Sequence, residues 1–444
     1  MDVAGGKDLE YILGRLRNEI DDPQGARVAE EMVRGSLQFR DRYQHLVTVF
    51  SRRETNTDAV VQGVLHLSLH ELLTHGRVPP YATIHQAGEV LRAEGKPRVV
   101  GYVNAVLQSV LRQVETASAY HPLDAVRSLF DDDEDPAGAL ARWWSHPRWL
   151  VERWLARHGH DAVEAMLQHA NTPPPITLHV LPGADRDAMR TNLEADGLPC
   201  EPVDGYPRAL QIQGRIDRGA LGQILADRPD LLVQDAGAQD AVDWLTDLGA
   251  GLADLPGPVI DLCAAPGGKT AHLRAWMPEG GLLVAMDRHR RRMRRLRENA
   301  RRLGLENTPL LVGDGCLPPL RPGSCGAVLL DGPCSGTGVG RHHPEGRWRL
   351  RLETVQQNGR LLTELAVSAA GLLAPGGALY YATCSLEPEE NEDVLQAVLD
   401  RCPDLEPAPG ADGAWQRAWL PWQTGTDGFF AARLRRRPQD EVAS

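Results

Sequence analysis

The chain has 444 residues, 42% hydrophobic and 24% charged, which excludes a disordered chain, a collagen-like repeat and a disulfide mini-scaffold. Two or three domains fit that length. The formal net charge of −12, from 48 basic and 60 acidic residues, argues against a nucleic-acid partner unless cations are concentrated locally.

No run approaches the roughly 18 apolar residues of a membrane span. Met1 to Asp8 has neither a basic start nor an apolar core, so no secretion signal is expected and a cytoplasmic monomer is the default. Seven scattered cysteines with no CxxC pair leave no zinc ribbon or disulfide framework, so no metal is expected. Among the basic residues only Lys7, Lys96 and Lys269 are lysines. Each survives where arginine would otherwise serve, which makes it informative.

Residues of about 24–115 carry apolar side chains at helical spacing, as in Val60 to Leu73 and Val99 to Leu111, and predict an all-helical bundle within a domain of 1–130. The first 22 or so residues have no assigned role. Asp131-Asp132-Asp133-Glu134-Asp135-Pro136 reads as a solvated linker. A small α+β module is expected over 140–235, opening on a Trp-rich helical stretch (Trp143, Trp144, Trp149, Trp154) and reaching a strand at Ile176–Val180.

From 236 to 437 strand, turn and helix alternate. Strands are predicted at Val259–Leu262, Leu282–Met286, Pro309–Val312, Ala327–Leu330 and Ala378–Ala382. This rhythm predicts an α/β domain with a mostly parallel sheet and helices on both faces. Ligands of such sheets sit at the carboxyl ends of the strands. After the first strand comes Cys263-Ala264-Ala265-Pro266-Gly267-Gly268-Lys269-Thr270, and Asp287, Asp314 and Asp331 follow the next three. The turn is neither GxxxxGK[ST] nor GxGxxG. A crown of carboxylates repels polyphosphate but accepts a ribose diol and a cationic centre, as S-adenosyl-L-methionine carries.

Cys334, in Asp331-Gly332-Pro333-Cys334, and Cys384, in Thr383-Cys384-Ser385, follow the fourth and fifth strands and so share the ligand edge. The chemistry that needs this set is methylation of an unactivated pyrimidine carbon. A thiolate adding at C6 of cytosine makes C5 enamine-like. An acid beside the Pro-Cys motif hydrogen-bonds N3, a base removes the C5 proton, and the thiolate leaves. Lys269 is placed to lower a thiol pKa or orient the base.

Together these motifs, with Tyr381 to Ser385 and Gly428 to Ala432, resemble the NOL/Sun family of RNA 5-methylcytosine methyltransferases over roughly 236–436. The segment Tyr102 to Leu107 resembles the NusB-type RNA-binding domain. The combination is that of RsmB-type enzymes, which methylate a cytosine of small-subunit (16S) ribosomal RNA. The resemblance implies a Rossmann-like methyltransferase domain using S-adenosyl-L-methionine. It implies that Cys384 is the nucleophile and that Cys334 assists release. It also implies that Cys263, Ala264, Ala265, Pro266, Gly267, Gly268, Lys269, Asp287, Asp314 and Asp331 line the cofactor site. Gly332 stands where the family carries alanine, which should leave that loop more flexible.

For RNA contact, Arg341, His342 and His343 lie just beyond Cys334, and Arg291 belongs to a block with nine arginines against one acid over residues 288–302. That block reads equally as a phosphate grip or a solvated helix face. A non-catalytic NusB-type RNA-binding or assembly factor is the alternative reading, and a small-molecule methyltransferase a third. The intact Cys334, Cys384, Asp331 and Lys269 speak against the second, the accompanying RNA-binding-like domains against the third.

Overall fold

The computed structural model describes residues 9–51, 58–76, 78–117, 121–214, 216, 218–246, 252 and 255–438; Met1 to Asp8, read above for a secretion signal, lie outside them. The chain forms two compact units, one of Met1–Thr172 with Gly340–Arg349 and one of Pro173–Val339 with Leu350–Ser444. Among the described residues no helix is long and apolar enough to cross a membrane.

The first unit is helical: α1 (Leu9–Glu19), α2 (Pro23–Gln38), α3 (Arg40–Phe50), α4 (Ala59–Thr74), α5 (Pro80–Ala93), α6 (Val100–Ala117), α7 (Asp124–Arg127), α8 (Pro136–Trp144), α9 (Arg148–His158) and α10 (His160–His169). The predicted apolar stripes meet in one core holding Tyr43, Leu46, Leu65, Leu69, Leu91, Val103 and Leu107. Residues near the start, given no role from sequence, form α1, whose Leu9 and Leu13 are buried against Val33 and Leu37 of α2. Asp58 caps α4 through the N–H groups of Val60 and Val61 and takes the Lys96 ammonium at 2.6 Å, a structural use for that lysine.

The acidic run is not a linker. Asp135 caps α8 by accepting from the Gly138 N–H at 3.0 Å and takes Arg148 at 2.8 Å, while Asp132 takes Arg142 at 3.3 Å. These carboxylates satisfy a helix start, and α8 then packs on α3. By their contacts the Trp-rich helices α8 to α10 group with the helical unit, where Trp143 joins the core.

The second unit opens on a small antiparallel sheet of β1 (Thr177–Val180), β2 (Cys200–Val203), β3 (Tyr206–Ile212) and β4 (Leu231–Val233), ordered β2-β3-β1-β4 and accompanied by α11 (Arg186–Ala195) and α12 (Arg218–Ala226). The main sheet follows α13 (Ala236–Thr246). Its elements are β5 (Val259–Asp261), α14 (Gly268–Trp276), β6 (Leu283–Asp287), α15 (Arg290–Asn299), β7 (Leu310–Val312), β8 (Cys325–Asp331), α16 (Leu352–Leu372), β9 (Leu373–Thr383), α17 (Glu392–Arg401), β10 (Leu405–Pro407), β11 (Gln416–Trp419), α18 (Pro421–Thr424) and β12 (Phe429–Arg436). The order is β10-β12-β9-β8-β5-β6-β7, with β11 on β12.

Strands β5 to β9 pair in parallel, so their carboxyl ends share one edge. Alternation divides their side chains between two cores. Val259, Ala327 and Leu329 pack with α13, α14 and α15, and Ile260, Val328 and Leu330 with α16 and α17. Strand β9 starts earlier than the sequence predicts, at Leu373, which pairs with Cys325 of β8, and β12, which follows Gly428 and holds the rest of the Gly428 to Ala432 motif, pairs antiparallel along its second half.

Candidate active site

Strand ends and their turns build the site. Between β5 and α14 the chain turns through Gly267, whose φ is +111°. A Cβ there would also stand 2.2 Å from the tip of Leu296, but it is the left-handed backbone that calls for glycine. The tightened turn launches α14 with Lys269 in its first turn, and the ammonium reaches the Asp331 Oδ2 after β8 at 2.6 Å. Burial alone would pull Lys269 down, but Asp331 outweighs it and holds the ammonium above its ordinary value. The Lys269 ammonium also lies 5.8 Å from the ring centre of Phe429, tying in the last motif.

Below this pair Asp261 is 1% exposed. Its Oδ2 accepts from the Thr270 hydroxyl at 2.6 Å, while Oδ1 has no well-aligned hydrogen-bond partner among the described residues. Burial lifts this carboxyl to about 7, against the pull of that hydroxyl. Asp287, buried at the end of β6, accepts from the His289 N–H at 2.7 Å, and Asp314, exposed after β7, accepts from the Cys316 N–H at 3.1 Å. Cys263 is half-buried in the turn, and burial pushes its thiol well up. The motif after β5 and the three acids thus crown adjacent strands, as the sequence predicts.

The two cysteines meet. Cys334 Sγ and Cys384 Sγ are 3.1 Å apart, both half-buried. The hydrogen bond with Cys384 raises the Cys334 thiol well above its ordinary value, and burial adds to this. A thiol so held keeps its proton.

What brings the loops together was largely illegible in sequence. The Gly338 N–H donates to the Cys384 carbonyl at 3.0 Å, and the Gly428 N–H donates to the Gly338 carbonyl at 2.8 Å. The Leu386 N–H donates to the Thr337 hydroxyl at 2.9 Å. Glu390, fully buried, accepts from the Ser335 N–H at 2.8 Å, the Ser335 hydroxyl at 2.6 Å and the Asn358 amide at 2.9 Å. Its neighbour Asn391 accepts from the Thr383 hydroxyl at 2.5 Å and donates to the Ser385 carbonyl at 2.9 Å. The one available signal was three acids just before α17, which reads more simply as helix-start charge.

Gly332 is not left loose. A methyl group at that position would lie 2.3 Å from Leu362 Cδ2, so the α16 leucine fills the space an alanine side chain would take.

Of the residues expected near RNA, Arg291 is exposed on α15. Arg341 is 8% exposed, His342 is half-buried and His343 exposed, all in the segment that packs with the helical unit. That segment is fastened by buried Arg347, which donates to Ser145 O at 3.2 Å, Asn171 Oδ1 at 3.0 Å and Ala170 O at 3.1 Å. Among the described residues one group, His179, Asp243 and His272, brings possible metal-ligating atoms within 4.8 Å. Its hydrogen bonds run from His272 Nε2 to Asp243 Oδ1 at 2.7 Å and from the Trp276 indole to the same oxygen at 2.9 Å. Burial lowers both imidazole pKa values. The set joins the small sheet to α13 and α14.

Family models match along the chain: a NusB family model over residues 5–112, an RsmF/B-like ferredoxin-like domain over 146–217, and 16S rRNA methyltransferase RsmB/F over 255–435. Ribosomal RNA small subunit methyltransferase B of Citrobacter koseri is 32% identical over 440 residues, covering 97% of this chain and 95% of that protein. The protein of the same name from Shigella boydii is 32% identical over 439 residues, with the same coverage. In fold, the chain is similar to the crystal structure of PH0851, with TM-score 0.73, 24% identity and coverage of 95% and 92%. It is also similar to NSun6 from Pyrococcus horikoshii with SFG, with TM-score 0.53, 19% identity and coverage of 65% and 98%. The chain belongs to the RsmB/F family of 16S ribosomal RNA methyltransferases.

Proposed function

We propose that this protein transfers a methyl group from S-adenosyl-L-methionine to C5 of a cytosine in 16S ribosomal RNA, through a covalent bond between Cys384 Sγ and C6. The observation that carries the reading is the 3.1 Å approach of Cys334 and Cys384 at the edge where Lys269 meets Asp331. The crown suits the cofactor. Gly267 leaves no side chain over the turn, and Asp287 keeps a carboxylate for a ribose diol.

The cofactor supplies an electrophilic methyl group on a sulfonium. Cys334 holds its proton, and Cys384, its partner in the pair, is assigned the attack. Its sulfur adds to C6, and the electron pair displaced onto C5 makes that carbon the nucleophile. The thiol proton that Cys384 gives up passes to N3, neutralising the charge the addition pushes onto the ring, and Asp331, fixed by Lys269, accepts the N3–H bond. After transfer the C5 proton leaves to a base, the C6–S bond breaks and Cys384 departs as thiolate, with Cys334 assisting release. The target base must leave its stack for C6 to meet sulfur. Arg341, His342, His343 and Arg291 are assigned to the RNA; His343 and Arg291 are exposed, while Arg341 is packed within its segment.

Incubation with methyl-labelled cofactor and unmodified 16S RNA tests the reading. Label at C5 of cytosine is expected; label elsewhere, or none, would overturn it.

A further inference from the structure

Helix α15 carries a charge pattern that its own stability does not explain. It has no acidic residue in its first turn, where the helix dipole disfavours the cations Arg290, Arg291 and Arg292. Like charges also face each other at i and i+4, as in Arg290 with Arg294 and Arg291 with Arg295, which opposes the helix. Buried Met293 and Leu296 hold the inner face. On the outer face a single carboxylate answers, Glu298, 3.7 Å from Arg294. Among the described residues the side chains of Arg290, Arg291, Arg292, Arg295, Arg297 and Arg301 make no hydrogen bond or ion pair, and all are exposed. A solvated face would interleave acids, and a chain with 60 of them has supplied one.

The helix also stands in a useful place. It begins directly after Asp287 at the carboxyl end of β6, three strands across the sheet from β9. At about 4.8 Å per strand, its first arginines lie roughly 14 Å along the edge that carries Cys384.

We infer that the outer face of α15 is a phosphate rail that grips the RNA backbone flanking the target cytosine. The inference rests on the proposed RNA substrate and names a binding surface for it. Guanidinium forks match phosphate oxygens, and an RNA strand laid along this edge supplies the anions that the helix lacks. An anionic lipid surface is the competing partner, and the test separates them.

The test uses the full chain with Arg290→Gln, Arg291→Gln, Arg295→Gln and Arg297→Gln combined; glutamine keeps the helix propensity of arginine. Binding of a 16S RNA fragment is followed by fluorescence anisotropy across salt concentrations, with cofactor affinity and thermal midpoint as controls for folding. The slope of log K against log salt should flatten by about 3, at about 0.7 per phosphate contact on a single strand, with affinity down about tenfold or more at low salt. The thermal midpoint should hold or rise, because like-charge repulsion is relieved. An unchanged slope in a folded variant would overturn the inference. So would wild-type binding to phosphatidylserine vesicles that matches its binding to RNA. Wild-type protein that binds RNA with the expected slope but places no methyl on cytosine would instead overturn the proposed function and leave the rail standing.

Discussion

Glu390 holds Ser335 by two bonds at once, through its N–H at 2.8 Å and its hydroxyl at 2.6 Å, and so fixes the residue next to Cys334 from the start of the segment that leads into α17. The carboxylate is fully buried, and no cation pairs with it among the described residues. Its cost of desolvation is met by hydrogen bonds alone.

Glu390→Gln keeps the shape but loses charge-assisted bonding, and should cost about 1–3 kcal/mol of stability. As a positioning residue it should lower kcat while leaving KM for the cofactor unchanged. Steady-state kinetics beside chemical denaturation checks this; a fall in stability with kcat intact would confine Glu390 to the scaffold.

Two glycines near the cysteines should respond very differently to alanine. At Gly338 a Cβ would stand 2.3 Å from the Gly428 carbonyl oxygen and 2.7 Å from its carbon. Backbone paired on both sides cannot yield, so Gly338→Ala should cost about 1–3 kcal/mol and part the cysteine loops, with loss of activity. At Gly332 only the tip of Leu362 stands in the way, at 2.3 Å. Gly332→Ala should cost less than about 1.5 kcal/mol after a rotamer change. Paired thermal melts and methyl-transfer assays decide whether the order holds.

Asp331→Asn should leave Lys269 without its ion-pair partner in a mostly buried position and remove the carboxyl assigned to N3. A loss of about 10²-fold or more in kcat is expected from the proton-handling role. Lys269→Arg should not restore full activity, because a planar fork replaces a compact ammonium. Single-turnover rates measure both.

Asp261 gives a pH dependence with a definite sign. Its folded pKa is about 7, above the value of about 3.9 in an unfolded chain. Between those limits the folded protein holds a proton that the unfolded chain has released, so its stabilising contribution is full below about pH 4 and is lost as pH rises to about 7. The span is up to about 4 kcal/mol. Denaturation of wild type and Asp261→Asn at pH 5 and pH 8 isolates it: the difference between the two proteins should shift across that interval, and a constant difference would refute the assignment.

The parts of the site that could be read from sequence are those written locally. A strand followed by Pro-Cys, or by Thr-Cys-Ser, announces its own position at the edge, and parallel pairing then brings Cys334 to Cys384 across 50 residues. Lys269 stood out because lysine is scarce. Glu390, Asn391 and Gly338 were silent because their roles lie in contacts made after folding, and a glutamate ahead of a helix looks like ordinary helix-start charge. The acidic run at 131–135 misled for the converse reason: composition suggested solvent, whereas Asp132 and Asp135 are engaged by arginines seven to thirteen residues further on. Burial of Leu9 and Leu13 depended on a partner helix that no local pattern names.

The central claim is a division of labour between two touching sulfurs, and denaturing electrophoresis of single-cysteine variants with labelled 16S RNA and cofactor tests it most directly. Cys334→Ala should accumulate an RNA–protein adduct that survives denaturant, because attack proceeds and release stalls. Cys384→Ala should form no adduct and no product. Wild-type turnover by Cys384→Ala, or an adduct that forms without Cys384, would contradict the account.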